Sequence, residues 1–451
     1  MKTSAPGETI DVQALRVGMF VHLDGGWMSH PFPLSSFRIA TPAQVATIRS
    51  LGLQQVRWSP THSDAATLDG GAAAPQAAAG PLDGAAATDP SASGEEEGDT
   101  VPGGLGMPPS LSDARARAER RRKVAAQCQA QKVCERQYGE AARECRHALE
   151  LVASQPREAR EGTEALSRAL VDKMLGEQEL CIRLLTEGAA DRASMHAMNV
   201  GIISLLMGRC FGFAADEMLD LGVGALLHDV GKLDMPARLR YCEESFLPGE
   251  IRHYEEHVEL GLVAARRMGL SAGATSVIAQ HHELADGSGF PERLNADRMT
   301  MAARIVSLVN RYDNLCNPRI AARALTPHES LSLMFAQGRS QFDTSILGAF
   351  IKMMGVYPPG STVQLTDDRY GIVTAVNSTR PLKPSVLLHE PGVARDEALV
   401  VDLESVPGLG IRRSLKPQQL PSKALGDLAP GARVAYYFEP ARAVEAEEEM
   451  A

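Results

Sequence analysis

The sequence predicts a mainly α-helical protein, with a small α+β domain before the helical part and a small β-rich region after it. Apolar residues recur at three- and four-residue spacing from residue 164 to residue 357, which is typical of amphipathic helices. Short apolar runs typical of strands precede residue 58 and follow residue 358. One of the helical stripes consists of Ala165, Leu166, Leu170 and Met174.

Composition divides the chain further. Residues 59–112 are dominated by Ala, Gly, Pro, Ser and Asp, with few large apolar side chains. Such a stretch cannot bury enough surface to offset its ordering entropy, so we expect a disordered linker. The expected division is a small α+β domain at 1–58, the linker at 59–112, a connecting helix at 113–163, the helical domain at 164–357, the β-rich region at 358–442 and an acidic tail at 443–451.

Individual elements follow from local patterns. Apolar runs between Ile10 and Val21, and again from Leu53 to Trp58, favour strands. Between them, Pro42 at a first helical position indicates a short helix. In the C-terminal region the expected strands are Thr362–Leu365, Gly371–Val373, Val386–Leu388 and Ala398–Val401.

Charge and composition limit the functional classes. The 451-residue chain has a formal net charge of −10, which argues against binding of a nucleic-acid polymer. No apolar run reaches about 18 residues, so no membrane span is expected. The N terminus lacks the pattern of a secretory signal. The 7 cysteines form no C-x-x-C pair, which indicates reduced thiols and a cytoplasmic protein.

A basic run lies at the start of the expected connecting helix. A solvated helix face is the favoured interpretation, and a docking surface for an acidic signalling partner is the alternative. The sequence leaves open whether the chain forms a homodimer. The run consists of Arg115, Arg117, Arg120, Arg121, Arg122 and Lys123.

Histidines are concentrated in the helical part. Half of the 12 histidines lie between His196 and His282. The pair His228-Asp229 follows an apolar stretch, where a carboxylate is costly unless it is paired or binds a metal. Its aspartate could bridge two ions, and Lys232, one turn later, could neutralise charge on a bound phosphate. The alternative is a buried His-Asp hydrogen bond with Lys232 at the surface.

The pair His281-His282 ends a second apolar helix and precedes the loop Asp-Gly-Ser-Gly-Phe-Pro at 286–291. Two glycines and a proline predict a tight loop whose backbone can approach a ligand. Between the two pairs, His253, Glu256 and His257 form H-x-x-E-H, the spacing of an inverted zincin motif. A zinc peptidase is disfavoured because it would use neither His228-Asp229 nor His281-His282. His257 fits better as a single ligand.

Taken together, these residues resemble the HD-GYP family of bacterial phosphodiesterases, which cleave cyclic di-GMP. The resemblance covers about residues 190–358, and the N-terminal unit looks like the small domain that precedes many HD-GYP domains. It implies an HD-type helical bundle holding divalent ions, with iron or manganese the usual choices. The matching residues are His196, the run His228–Lys232, His257 with Gly261, and the run His281–Pro291.

The resemblance also implies residue roles. Asp229 would bridge two ions and act in catalysis with Lys232. The implied ligands are His196, His228, Asp229, His257, His281, His282 and Asn310. The implied substrate-binding residues are Lys232, Asp286, Gly287, Gly289, Phe290, Arg319 and Arg323.

The chain departs from the family at four places. Phe290 replaces the tyrosine of the GYP motif, and Ile320-Ala321 replaces Pro-Tyr after Arg319. Arg192 stands where some members place a glutamate ligand for a third ion, so we expect a two-metal site. Asn310 stands where the family has its last aspartate ligand, and an uncharged amide should lower metal affinity.

These observations lead to alternative functions. The leading hypothesis is an active phosphodiesterase that converts cyclic di-GMP to linear pGpG or GMP. The second is a catalytically impaired domain that acts as a cyclic di-GMP receptor or binds a protein partner. An HD hydrolase for another nucleotide would leave the loop at 286–291 unexplained.

Overall fold

The structure is a computed structural model of the full chain. The described residues include the five candidate histidine ligands, which are His196, His228, His257, His281 and His282. The described ranges are 8–23, 36–39, 42–50, 53–60, 63, 111–175, 179–185, 191–241, 245–338, 340–377, 379–393 and 397–440. The expected linker at 59–112 lies almost wholly outside the described residues, and the acidic tail at 443–451 lies entirely outside them.

The N-terminal unit is a four-stranded antiparallel sheet with one helix. The strands have the order β1-β4-β2-β3. Val21, Ile39, Ile48 and Val56 are buried and form its core. The unit therefore confirms the predicted α+β part. Its elements are β1 (Glu8–Asp11), β2 (Phe20–His22), β3 (Ser36–Arg38), α1 (Pro42–Ser50) and β4 (Gln55–Ser59).

The central part of the chain is helical, as predicted. Helix α4 forms its centre, with its residues from Ala197 to Gly208 buried on all sides. Asp191 caps the start of α4 and Thr300 caps the start of α9, each accepting hydrogen bonds from backbone N–H groups. The helices are α2 (Leu111–Leu151), α3 (Pro156–Met174), α4 (Arg192–Cys210), α5 (Ala215–Leu227), α6 (Pro248–Glu255), α7 (His257–Met268), α8 (Ala272–Gln280), α9 (Met301–Cys316), α10 (Pro327–Gln337) and α11 (Thr344–Met354).

The expected single connecting helix at 113–163 is two helices. Helix α2 ends at Leu151, and α3 begins at Pro156. Proline is common in the first turn of a helix, because backbone N–H groups there have no intrahelical acceptor and proline lacks only such a group. Pro156 therefore restarts the chain as a new helix.

A seven-stranded antiparallel sheet follows in the C-terminal part. Its path is β10-β6-β7-β5-β11, with β8 pairing β7 and β9. A short helix, α12 (Ser422–Leu428), packs within this region. The strands are β5 (Leu180–Leu185), β6 (Thr362–Leu365), β7 (Tyr370–Asn377), β8 (Ser385–Leu388), β9 (Val400–Asp402), β10 (Ile411–Leu415) and β11 (Ala435–Pro440).

Strand β5 departs from the expected division of the chain. Residues 164–357 were expected to be helical, but β5 comes from this range and lies between β7 and β11. Its sequence, Leu-Cys-Ile-Arg-Leu-Leu, is a short apolar run that periodicity alone does not assign to helix or strand. The sheet therefore contains a strand from within the range that was expected to be helical. Among the described residues, no helix is long and apolar enough to cross a membrane.

Candidate metal centre

The candidate histidine ligands meet where helices begin or end. His228 directly follows α5, His257 begins α7 and His281 directly follows α8, while His196 lies in the first turns of α4. Glycine makes this approach feasible. A Cβ at Gly231 would lie 1.9 Å from the carbonyl oxygen of His257, so only glycine fits there. The turn after Asp229 can therefore pack directly against α7.

Asp229 lies at the centre of the cluster. Its Oδ2 is 3.6 Å from Nε2 of His196 and 3.5 Å from Nε2 of His228. Its Oδ1 is 3.7 Å from Nε2 of His257 and 3.5 Å from Nε2 of His281. Each carboxylate oxygen thus faces a different pair of imidazoles. Asp229 belongs to two groups of residues with metal-binding spacing. The first group is His196, His228 and Asp229, and the second is Asp229, His257, His281 and His282.

Backbone carbonyls fix which ring nitrogen faces the centre. Nδ1 of His228 lies 2.8 Å from the carbonyl oxygen of Ala225, and Nδ1 of His281 lies 2.8 Å from that of Ile278. A carbonyl only accepts, so each Nδ1 carries the proton and each Nε2 presents a lone pair. His257 is held in the same way by the carbonyl of Tyr254.

The residues fit a bound cation. Nε2 of His196 is 3.1 Å from Nε2 of His228, and Nε2 of His257 is 3.2 Å from Nε2 of His281. Two lone pairs at these distances repel each other unless a cation lies between them. Oδ1 of Asp229 is buried and has no hydrogen-bond partner among the described residues. A buried acceptor of this kind is costly unless it binds an ion.

Charge states in the cluster suit metal binding. Burial lowers the pKa of His228 and His282 well below the ordinary value, and it lowers the pKa of His257 to about 3. These rings are therefore neutral at physiological pH, as ligands must be. Burial opposes ionisation of Asp229, but Lys232 and the neighbouring histidines outweigh it and hold its pKa well below the ordinary value.

Lys232 lies at the edge of the centre. Its Nζ donates to Oδ2 of Asp229 at 2.7 Å and lies 5.1 Å from the ring centroid of Tyr254. Burial lowers its pKa, but the attraction of Asp229 is stronger and the net pKa is raised. The side chain is therefore an ammonium beside the shared carboxylate.

The loop after His282 packs against that histidine. The ring of Phe290 stacks on His282 with centroids 4.4 Å apart. A Cβ at Gly289 would lie 2.5 Å from the carbonyl oxygen of His282, which explains the glycine. Asp286 does not reach into the centre but accepts from the backbone and hydroxyl of Ser288, in a turn where Gly287 has φ 76°.

Sequence reasoning missed the carboxylate that anchors this loop. Glu283 is fully buried, and its oxygens accept from the backbone N–H groups of Glu292 at 2.7 Å and Leu294 at 2.8 Å. A charged residue directly after two histidines in an apolar segment was the available signal, because a buried carboxylate needs partners.

A second carboxylate was also missed. Asp313 is buried in α9, and its Oδ2 lies 2.6 Å from Nδ1 of His196. Asn310, one turn earlier, is buried, and its Oδ1 accepts from Asn314 at 2.6 Å. Helix α9 thus places a carboxylate, that of Asp313, against His196, so this carboxylate acts on the centre indirectly. Asn310 as a ligand stays a prediction.

The expected arginines lie after α9. Arg319 and Arg323 are exposed, and Arg323 lines a pocket of about 910 Å³ together with Lys416 and Arg433. None of the five candidate histidine ligands lines this pocket. Arg192 donates to the carbonyl of Asn317 at 3.2 Å. The two arginines as substrate-binding residues stay a prediction.

The H-x-x-E-H motif does not form a site of its own. His253 is exposed and pairs with Glu256 at 2.9 Å, outside both metal-binding groups of the described residues. Of this motif, only His257 belongs to the centre.

Comparisons with known proteins agree with the geometry. A model described as Domain of unknown function (DUF3391) matches residues 8–165, and a model described as HD domain matches residues 180–346. The cyclic di-GMP phosphodiesterase PA4108 of Pseudomonas aeruginosa is 26% identical over 393 residues, which cover 84% of this chain and 84% of that protein. A probable cyclic di-GMP phosphodiesterase of Vibrio cholerae is 31% identical over 136 residues, 28% of this chain and 31% of that protein.

Among solved structures, the HDG"Y"P protein Bd1817 of Bdellovibrio bacteriovorus matches at a TM-score of 0.38 and 12% identity, covering 76% of this chain and 97% of that chain. The helical bundle with its His-Asp pair lies in the region that matches the HD domain model. The chain therefore contains an HD domain, preceded by a region that matches the DUF3391 model.

Proposed function

We propose that this chain is a metal-dependent phosphodiesterase that hydrolyses cyclic di-GMP to linear pGpG or GMP. The observation that carries the proposal is the shared aspartate, since each oxygen of Asp229 faces a separate pair of histidines. The relatives from Pseudomonas aeruginosa and Vibrio cholerae that bear this name support the choice of substrate.

The donor set suits two divalent ions, and we propose iron or manganese. Imidazole and carboxylate together are typical ligands of such metals. His196 and His228 would hold one ion, and His257, His281 and His282 the other, with Asp229 between them. When bound, the ions supply Lewis acidity and lower the pKa of water to give a nucleophile at neutral pH.

The chain's own residues would do the rest. Lys232 places an ammonium beside Asp229, where it can stabilise charge on the phosphate oxygens during hydrolysis. The loop with Asp286, Gly287 and Gly289 holds Phe290 against His282, where the ring can contact a guanine base. Arg319 and Arg323 follow α9 as exposed cations that can bind the second phosphate.

A cyclic di-GMP receptor without turnover is the second candidate. It is favoured by Asn310, which has no charge and whose Oδ1 already accepts from Asn314. Against it, both histidine groups form without Asn310. The phosphodiesterase is therefore the favoured function.

The test begins with anaerobic purification, a metal count and an assay of linear product from cyclic di-GMP. We expect about two ions per chain in the wild type and their loss, with loss of turnover, in Asp229→Asn. His253→Ala is the matched control, because this exposed histidine lies outside the centre, and it should keep both properties. Asn310→Asp separates the candidates. A wild type that holds metal but forms no product, while Asn310→Asp forms it, would refute the enzyme and favour the receptor.

A further inference from the structure

A buried hydrogen-bond network connects the metal centre to the C-terminal sheet. Asp313 is its hub. Its Oδ2 lies 2.6 Å from Nδ1 of His196, and its Oδ1 accepts from Nδ2 of Asn199 at 2.7 Å and from Nδ2 of Asn317 at 2.8 Å. Asn199, Asp313 and Asn317 are all buried. Both oxygens of this buried carboxylate therefore have polar side-chain partners within hydrogen-bond distance.

Strand β11 and the residue before it fix the direction of both asparagines. The backbone N–H of Val434 donates to Oδ1 of Asn317 at 2.9 Å, and that of Tyr436 donates to Oδ1 of Asn199 at 3.0 Å. A backbone N–H can only donate, so each amide oxygen must face the strand. Each NH₂ group must then face Asp313 and the carbonyl of Val434, as observed.

We propose that Asp313, held by the backbone at 434–436 through Asn199 and Asn317, sets the tautomer of His196. The strand orients both asparagines so that they donate to Oδ1 of Asp313 and hold its Oδ2 against His196. A carboxylate oxygen accepts, so Asp313 requires a proton on Nδ1 of His196. Nε2, which faces His228 and Asp229, is left with its lone pair. The three polar side chains are positioning residues, and the inference rests on the proposed metal centre.

The network predicts a specific outcome for Asp313→Asn. The two asparagines would still donate to the amide oxygen, so the new NH₂ group would face His196. That donor needs an acceptor on Nδ1, which moves the ring proton to Nε2 and removes the metal-binding lone pair. If the strand did not hold the asparagines, the new amide could turn over and leave the metal ligand intact.

The experiment measures Mn²⁺ binding by the metal-free full-length protein, using the electron paramagnetic resonance signal of free Mn²⁺. We expect one of the two sites to weaken about 10- to 100-fold in Asp313→Asn, as is typical when a partner of a metal ligand is changed. Asn317→Ala keeps the carboxylate and should weaken the site less. Tyr312→Phe is the matched control. It removes the buried 3.0 Å hydrogen bond from α9 to Tyr436 on β11 without touching Asp313. It should lower the melting temperature and leave Mn²⁺ affinity unchanged.

A second measurement uses the wild type alone, so it does not depend on how variants fold. Histidine ring nitrogens labelled with ¹⁵N report the tautomer, and comparison with His196→Gln assigns the signal. We expect protonated Nδ1. A proton on Nε2, or unchanged Mn²⁺ binding by folded Asp313→Asn, would overturn the proposal. Wild type that binds no Mn²⁺ would overturn it together with the metal centre. Wild type that binds Mn²⁺ without cleaving cyclic di-GMP would refute only the proposed function.

Discussion

Burial of His257 should make the metal-free protein sensitive to mild acid. Its pKa falls from an ordinary 6.5 to about 3, chiefly because burial disfavours the charged ring. In the unfolded chain the ring takes up a proton as the pH falls through about 6.5, whereas the folded ring stays neutral. The unfolded state then binds more protons, so the free energy of unfolding decreases with falling pH. The stabilisation is complete above about pH 6.5 and is lost progressively towards about pH 3.

The size of the effect follows from the two pKa values. Between about pH 7.5 and about pH 5.5, the unfolded ring gains most of one proton, which costs about 1.4 kcal/mol of unfolding free energy. Over the whole shift from 6.5 to about 3, the loss approaches about 5 kcal/mol. The pKa values of His228 and His282 are lowered in the same direction, so they add to the slope.

Urea unfolding at the two pH values, followed by circular dichroism at a helical wavelength, measures this slope. The signal reports the helical domain, because the N-terminal unit has a single α-helix, α1, among its described elements. His257→Gln should lose about 1.4 kcal/mol of the pH dependence relative to wild type. His147→Gln, at an exposed position on α2, is the control. Equal slopes for wild type and His257→Gln would refute the claim that burial keeps this ring neutral.

Three further predictions concern the same centre. Lys232→Met should lower kcat for cyclic di-GMP about 10²- to 10³-fold, since it removes charge stabilisation of the phosphate; unchanged kcat would contradict this role. Gly231→Ala should prevent stable folding, because the added Cβ would lie 1.9 Å from the carbonyl oxygen of His257, and thermal unfolding tests it against Gly348→Ala, whose Cβ meets nothing within 4 Å. Removal of metal with a chelator should lower the melting temperature, and Mn²⁺ in 100-fold excess over its dissociation constant should restore about 2.7 kcal/mol; no shift on adding Mn²⁺ would argue against a metal centre.

The two pairs at the candidate centre, His228-Asp229 and His281-His282, could be predicted because each is a short, contiguous motif. His228-Asp229 and His281-His282 each follow an apolar helix, and the structure brings both pairs together around Asp229. Helical periodicity likewise predicted the helical domain, since an amphipathic pattern records which face is buried.

The contacts of residues that act through the tertiary structure could not be assigned from the sequence. Glu283 and Asp313 are ordinary acids in the sequence, and their roles depend on backbone N–H groups and side chains far along the chain. Asn199 is a further case, because its partner strand lies more than two hundred residues later. Strand β5 was missed for the same reason, since pairing with β7 and β11 decides its conformation.

The position of β5 has a consequence for any attempt to isolate the helical domain. The HD domain model matches residues 180–346, but β5 begins at Leu180 and pairs on both sides with strands beyond residue 369. A fragment ending near residue 346 would leave an apolar strand with two open edges, which is a template for aggregation. It would also leave the amide oxygens of Asn199 and Asn317 without their strand partners. The smallest soluble catalytic fragment should therefore extend through Pro440.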